Sequence, residues 1–291
     1  MTLMPTLPTE FLTPLLRQAA QWIIEADALI ITAGAGLGVD SGLPDFRGAA
    51  GWWRAYPGLR ERGISFQELA CPQAFFHEPR LAWGFYGQRL ISYRQTQPHS
   101  GFERMRQWAL AKPKGYFVYT SNVDGQFQKA GFSALQIDEC HGSIHHLQCL
   151  SNCEERIWSA TVFSPQVDLS THQLTSELPR CSVCGGLARP NILMFNDSSW
   201  LEHRHALQES RLEMFLNTVQ RPLLLEVGAG DRIATVRTWG ERMARRYAGR
   251  LIRINPETPQ ANQSGSLHLP LGGLEALSAL EQQIKRLHGS D

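Results

Sequence analysis

The chain lacks a charge excess of either sign. It has 28 Lys and Arg against 27 Asp and Glu, for a formal net charge of +1. Such a balance lacks the basic footprint of a nucleic-acid binder, and the local cluster Arg242, Arg245 and Arg246 reads as the solvated face of a helix. No run approaches the roughly 18 apolar residues of a spanning helix, so neither nucleic acid nor membrane is expected as a partner. The opening residues MTLMPTLPTEFL have no charged n-region and no apolar h-region, which argues against a secretory signal and for a soluble, cytoplasmic protein. Cysteine is sparse, six in 291 residues, and a chain of this size in a reducing compartment needs no disulfides. Internal repeats and low-complexity tracts are absent, and so is the Gly-Lys-Ser/Thr of a P-loop.

What is present is concentrated in Ala28 to Gly48, ALIITAGAGLGVDSGLPDFRG. An apolar β-branched run leads into glycines at 34, 36, 38 and 42. A buried strand entering a glycine turn exposes backbone N–H groups to an anionic ligand, diphosphate above all. The dinucleotide fingerprint needs glycine at its first, third and sixth positions. Counted from Gly34 the sixth is Val39, so the fingerprint fails, and an ordinary βα turn would explain the glycines. The tail Pro44-Asp45-Phe46-Arg47 is harder to explain structurally, because it sets an acid, a ring and a guanidinium in succession.

Short, unalternated apolar runs recur at 28–32, 115–120, 134–137, 222–227 and 250–254, as expected of strands covered on both faces. Helical periodicity separates them at 9–26, 78–95, 99–111, 201–219, 232–247 and 273–287. This alternation predicts an α/β fold on a parallel sheet, with ligand chemistry beyond the carboxyl ends of the strands. Two stretches break the pattern. Residues 49–97 are rich in Trp, Phe and Tyr and read as a helical insert. Residues 149–189 are polar, poorly periodic and hold four cysteines. The main domain is then 1–48, 98–148 and 190–291.

Cys149 and Cys153 are spaced C-x3-C, and Cys181 and Cys184 C-x2-C. Two thiolate pairs on two loops make a closed tetrahedral zinc site, structural rather than catalytic. His145 and His146 lie near enough to serve as spare ligands. Thr120-Ser121-Asn122-Val123-Asp124-Gly125 follows one strand and would be an ordinary helix cap or a ligand cluster. His141, beside Gly142 after the next strand, is a general-base candidate, although a lone histidine is more often structural. Gly228-Ala229-Gly230 and Asn255-Pro256-Glu257 end two further strands. Five strand ends carrying ligand-type chemistry converge on one site.

The set GAGLGVDSGLPDFRG, SNVDG, HGS, the cysteine pairs, RPNILMFND, GAG and IN, in this order, resembles the sirtuin family from about 28 to 275. The resemblance implies a Rossmann-like domain with a small zinc-binding domain. It also implies NAD-dependent removal of acyl groups from protein lysine, giving nicotinamide and O-acyl-ADP-ribose. Gly34, Ala35 and Gly36 would then pack on the NAD diphosphate. Asp45, Phe46 and Arg47 would line the nicotinamide side, and Phe46 would shield the ribose carbon. Asn122 would hold the ribose and a water, with Ser121 and Val123 beside it, and Asp124 would take the carboxamide. His141 would act on a ribose hydroxyl. Gly228, Ala229, Gly230, Asn255 and Pro256 would hold the adenosine half, and Phe195 and Asn196 the acyl-lysine substrate.

Tyr86 and Arg89 resemble the Tyr-x-x-Arg signature of sirtuins that prefer succinyl and malonyl groups. Three residues apart, they share a helix face, and an Arg fork beside a phenol suits a carboxylate; an ordinary amphipathic helix would show the same pair. The chain departs from the family at Gly38 (usually Ser), Ser121 (usually Gln), Asn196-Asp197 (usually Gly-Glu), Gly230 (usually Ser) and the extra residue in the first cysteine pair. The departures at 196–197 leave open a second activity, transfer of ADP-ribose to protein or to water. A non-catalytic NAD or ADP-ribose sensor is a third reading, against which the intact His141 speaks.

Overall fold

The computed structural model describes residues 9–44, 56, 59, 63–231, 233–257 and 265–289. Its main sheet has six parallel strands: β1 (Ala28–Ala33), β2 (Tyr116–Thr120), β3 (Ile137–Glu139), β9 (Pro222–Val227), β10 (Arg250–Ile254) and β11 (Ser266–Leu269). Their spatial order is β11-β10-β9-β1-β2-β3. The chain builds outward from β1 to β3, then returns to the other side of β1, so the topology reverses between β1 and β9. That is the doubly wound Rossmann order, with its ligand crevice at the reversal.

The strands form because their runs are apolar on both faces, and each face has its own cover. Leu29, Ile31, Val118, Leu225 and Ile252 pack with α1 (Thr9–Glu25), α5 (Ser100–Leu110) and α9 (Gly273–Leu287). Ile30, Phe117, Leu224 and Leu251 face α7 (His203–Leu216) and α8 (Thr235–Arg246). On α1 it is Leu16, Ala19 and Ile23 that reach the core, while Phe11 stays exposed. One row interrupts the apolar strands. Asp138, Tyr119, Thr32, Glu226, Arg253 and His268 are register partners in turn across all six. Arg253 donates to Glu226 at 2.5 and 3.1 Å and to Glu241 of α8 at 3.0 Å, so this buried charge is paired as burial requires.

Two sequence expectations are corrected. The strand expected at 134–137 is a 3₁₀ turn over Ala134–Gln136, and β3 follows it at Ile137–Glu139. Ser133 accepts from the Leu135 N–H and starts the turn, a local competitor to sheet pairing. The edge strand β11 carries no long apolar run and was not expected.

A second, antiparallel sheet is formed by β4 (Gly142–Cys149), β5 (Ile157–Ser159) and β8 (Ala188–Ile192), and a two-stranded hairpin by β6 (Val167–Asp168) and β7 (Gln173–Leu174). The small sheet thus begins at 142, ahead of the first cysteine. It shares a core with α2 (Phe66–Leu69), α3 (Pro72–His77) and α4 (Pro79–Gln95) through Trp83, Phe85, Leu90, Ile144, Leu147 and Ile192. The contact is close enough that a Cβ on Gly84 would lie 1.9 Å from the His172 carbonyl oxygen. No described helix is long and apolar enough to cross a membrane.

Candidate active site

At the reversal the ends of β1 and β9 close on each other through glycine. Gly36 N–H donates to Gly228 O at 3.0 Å, and Gly34 N–H to Val227 O at 3.1 Å. A Cβ on Gly34 would lie 2.7 Å from Gly228 O. Gly228 has φ +65°, and a Cβ there would fall 2.2 Å from Leu37 N. Neither position accepts a side chain, so bare backbone faces the crevice. The 3₁₀ turn Ala35–Ser41 begins there, with Ala35 exposed and Gly36 half-buried. At Gly38 a Cβ would lie 3.2 Å from Leu43 Cδ1, a tight contact that the leucine side chain would have to relieve. Asp45, Phe46 and Arg47 lie outside the described residues.

The end of β2 is stitched to this turn. Thr120 Oγ1 donates to Ala33 O at 2.9 Å, Ser121 N–H to Ala33 O at 3.2 Å, and Asn122 Nδ2 to Gly34 O at 3.0 Å. Asn122 thereby joins the two strand ends. Val123 drops into the second core. On the far side, Asn255 Nδ2 donates to Ala229 O at 2.8 Å, while its Oδ1 accepts from Glu257 N–H at 3.1 Å. Its amide therefore braces the 228–230 turn. Gly230 looks into open space, and Pro256 is exposed.

Asp124 is buried, and its Oδ1 accepts from Gln126 N–H at 2.8 Å. Burial pushes its carboxyl up to about 6, with Glu139 adding to the rise and the Gln126 N–H and Arg89 opposing it. The folded value exceeds the ordinary 3.8. Asp124 therefore favours the fold fully below about pH 3.8 and loses that contribution as pH rises through about 6. Asp124→Asn is expected to gain thermal stability relative to the parent between pH 5 and 7. Paired melting curves across that range check it, and a constant difference would contradict it.

Two histidines follow in the chain, at 141 and 145, and the second is tied to the Asp124 backbone. His145 Nε2 bonds to Asp124 O at 2.9 Å, and only a glycine fits between them: Gly125 has φ +73°, and its Cβ would fall 2.8 Å from the His145 ring. His141 follows β3, and its carbonyl accepts from Leu193 N–H at 3.0 Å. Gly142, at φ +78°, allows β8 to pass where a Cβ would meet Asn191 O at 2.1 Å. The His141 backbone thus links the end of β3 to the strand leading to Phe195 and Asn196. Burial, and then the charge of His205, lower its pKa below 6.5, which keeps a neutral imidazole ready to accept a proton.

The departures at 196–197 resolve structurally. Asn196 sits at φ +52°, a region Asn tolerates better than other side-chain-bearing residues. Asp197 takes the buried Arg189 fork at 2.7 and 2.9 Å and also accepts from Ser199 N–H at 3.1 Å. Phe195 packs edge-on to Phe66, with ring centroids 5.8 Å apart.

On α4, Arg89 has a phenol partner, but it is Tyr93. Nε and Nη2 reach Tyr93 Oη at 3.0 and 2.6 Å. Tyr86 is buried and stacked on Phe75, and its ring centroid lies 5.9 Å from Arg89 Cζ. Phe85 and Tyr93 rings complete the surround at 5.2 and 5.4 Å. The i,i+4 spacing of Arg89 and Tyr93 was the available signal.

The four cysteine sulfurs lie within 4.8 Å of one another, with Cys149–Cys184 at 3.7 Å and Cys153–Cys181 at 3.6 Å. Disulfides would need about 2.05 Å. A tetrahedron with Zn–S of about 2.3 Å has edges of about 3.75 Å, so the set fits zinc. His145 and His146 are not part of it: His145 is bonded to the Asp124 carbonyl, and among the described residues the clustered ligand atoms are the four sulfurs.

A family model described as "Sir2 family" matches residues 34–217. An NAD-dependent protein deacylase of Pyrococcus furiosus is 26% identical over 276 residues, covering 94% of this chain and 99% of the relative. One of Ralstonia nicotianae is 28% identical over 272 residues, covering 92% and 97%. Among solved structures, a Sir2 homolog–NAD complex superposes with TM-score 0.69 at 23% identity, covering 93% of this chain and 94% of that one. A Sir2 homologue mutant–ADP ribose complex gives 0.68 at 22%, covering 94% and 98%. At these identities the structural likeness is one of fold.

Proposed function

The chain belongs to the Sir2 family, and from that premise we propose that it is an NAD-dependent protein-lysine deacylase. Acyl-lysine, NAD and water would give lysine, nicotinamide and O-acyl-ADP-ribose. The observation that supports this reading is the adjacency of the strand ends: Asn122 Nδ2 is tied to Gly34 O at 3.0 Å, Cys140 N–H, just ahead of His141, donates to Thr120 O at 2.9 Å, and the two glycine turns close on each other beside them. NAD supplies the cleavable nicotinamide–ribose bond and the ADP-ribose that accepts the acyl group.

The glycine turns 34–36 and 228–230 would hold the diphosphate and adenosine half, with Asn255 bracing the second turn and Pro256 at its rim. Asn122, between Ser121 and Val123, orients the ribose. Asp124, ionised above about pH 6, accepts from the carboxamide. His141, neutral at pH 7, takes the proton of a ribose hydroxyl as it attacks the acyl carbon. Asp45, Phe46 and Arg47 belong to the nicotinamide side of the same reading. Four cysteinates would hold one zinc with no open position, which makes it structural. In the domain division, 49–97 and the zinc-bearing stretch, widened to the small sheet's own ends at 142 and 192, are inserts in the nucleotide-binding domain.

We extend the reading to acyl preference. Arg89, held by Tyr93 beside Tyr86, offers a cation in aromatic surroundings, suited to succinyl or malonyl groups. With NAD and acetyl, succinyl and malonyl peptides, the expected product by mass spectrometry is O-acyl-ADP-ribose. Arg89→Met should lower kcat/KM for the acidic acyl groups about 10- to 100-fold, and for acetyl about threefold or less. Equal losses would remove the clamp. ADP-ribosylated protein without deacylated peptide would replace the deacylase reading with transfer.

A further inference from the structure

The helix α7 grips the end of β3 by three contacts from its first two turns. Arg204 pairs with the buried Glu139, Gln208 Oε1 accepts from Glu139 N–H at 3.1 Å, and His205 Nδ1 meets Asp138 Oδ1 at 2.7 Å. Asp138 is fully buried, and the His205 side chain is 19% exposed. The other side of the His205 ring stacks on Trp200, with centroids 5.9 Å apart and planes 26° apart. Trp200 belongs to the loop that follows Asn196 and Asp197. One imidazole is therefore fixed between the strand that delivers His141 and the loop next to the expected substrate groove.

We propose that His205 is a positioning residue for His141: bonded to Asp138 Oδ1 at 2.7 Å and stacked on Trp200, it fixes the end of the strand that delivers the base. This rests on the reading of His141 as the base. The groups around His205 support its charge. From β3 come Asp138 and Glu139, the latter already paired with Arg204, and α7 itself adds Glu202 and Glu209. The 3₁₀ turn 134–136, also packed on α7, carries no charge. The hydrogen bond to Asp138 raises the His205 pKa above 6.5 against the opposing effect of burial. His205 in turn lowers that of His141, second to burial. In sign, a nearby cation disfavours protonation of the base, so the active neutral form persists to lower pH.

The test compares His205→Gln with His205→Arg. Glutamine keeps a donor for Asp138 but removes the charge; arginine keeps the charge. In His205→Gln the acid limb of the kcat/KM profile should move up by about half to one pH unit, with the plateau little changed. In His205→Arg the limb should return to the parent position. A purely structural role would lower the plateau in one or both variants and leave the limb in place, which would overturn the proposal. Histidine NMR titration of the same proteins reads His141 without any turnover. A shift there in the absence of deacylation would uphold the inference while removing the proposed function. Should His205→Gln not fold, the parent alone still decides: His205 must titrate above 6.5 and His141 below it, and the reverse order overturns the proposal.

Discussion

His141→Ala is expected to lower NAD-dependent acyl removal by about 10²- to 10⁴-fold while ADP-ribose still binds. The separation follows from where His141 stands. The glycine turns that would receive the diphosphate are built from β1 and β9, and Asn122 is tied to Gly34 by its own amide. None of these contacts passes through the imidazole. His141 contributes a carbonyl to Leu193 N–H, and alanine retains that. The loss should therefore fall on kcat, read by steady-state kinetics beside a titration of ADP-ribose affinity. Unchanged turnover would refute the base assignment, and equal loss of affinity and turnover would make His141 a binding residue.

Cys181→Ser should have the largest effect on stability. Metal content is expected to fall from one zinc per chain to near zero, with rapid proteolysis between 150 and 187. Structural zinc contributes on the order of 10 kcal/mol in isolated modules, comparable to the whole stability of many domains. The damage should not stay in the small sheet. Trp83 Nε1 donates to Ala188 O at 2.9 Å, Arg80 to Leu174 O at 2.7 Å, and Arg94 to Phe163 and Ala160 carbonyls at 2.7 Å each. All three donors lie on α4, the helix of Tyr86 and Arg89. Acyl selectivity should therefore degrade along with the metal site. Metal analysis, limited proteolysis and the ratio of succinyl to acetyl turnover check this. A metal-free variant that resists protease and keeps its ratio would contradict it.

The legible parts of the molecule were those in which one residue type has one physical use. Leu29-Ile30-Ile31 and Leu223-Leu224-Leu225 are buried on both faces, and their runs announce it. The thiol pairs were equally plain, since few arrangements place four cysteines so. What escaped is decided by partners distant in sequence. The pairing of β4 with β8 joins residues about 45 apart with a register shift between Ser143 and Leu147. The strands β6 and β7 have two residues each, too few for any period. The setting of Gly38 depends on Leu43, whose Cδ1 would lie 3.2 Å from a Cβ there. The Arg89–Tyr93 bond follows i,i+4 helix spacing, which a three-residue signature does not register. The role of Gly125 depends on His145, and that of Asn196 on its backbone angle.

The polar row across the main sheet bears on how the chain finds its topology. Parallel strands made of Leu, Ile and Val can slide past one another by two residues and still bury apolar side chains. A two-residue slide of β10 against β9 would set Arg253 opposite Leu224 or Gly228 and strand Glu226 without its cation. An uncompensated buried charge costs several kcal/mol, far more than one misplaced aliphatic contact. The Glu226–Arg253 rung thus acts as a proofreader of strand alignment. Because Ala229 and Asn255 follow these strands within three residues, an alignment error would also be an error in the nucleotide crevice.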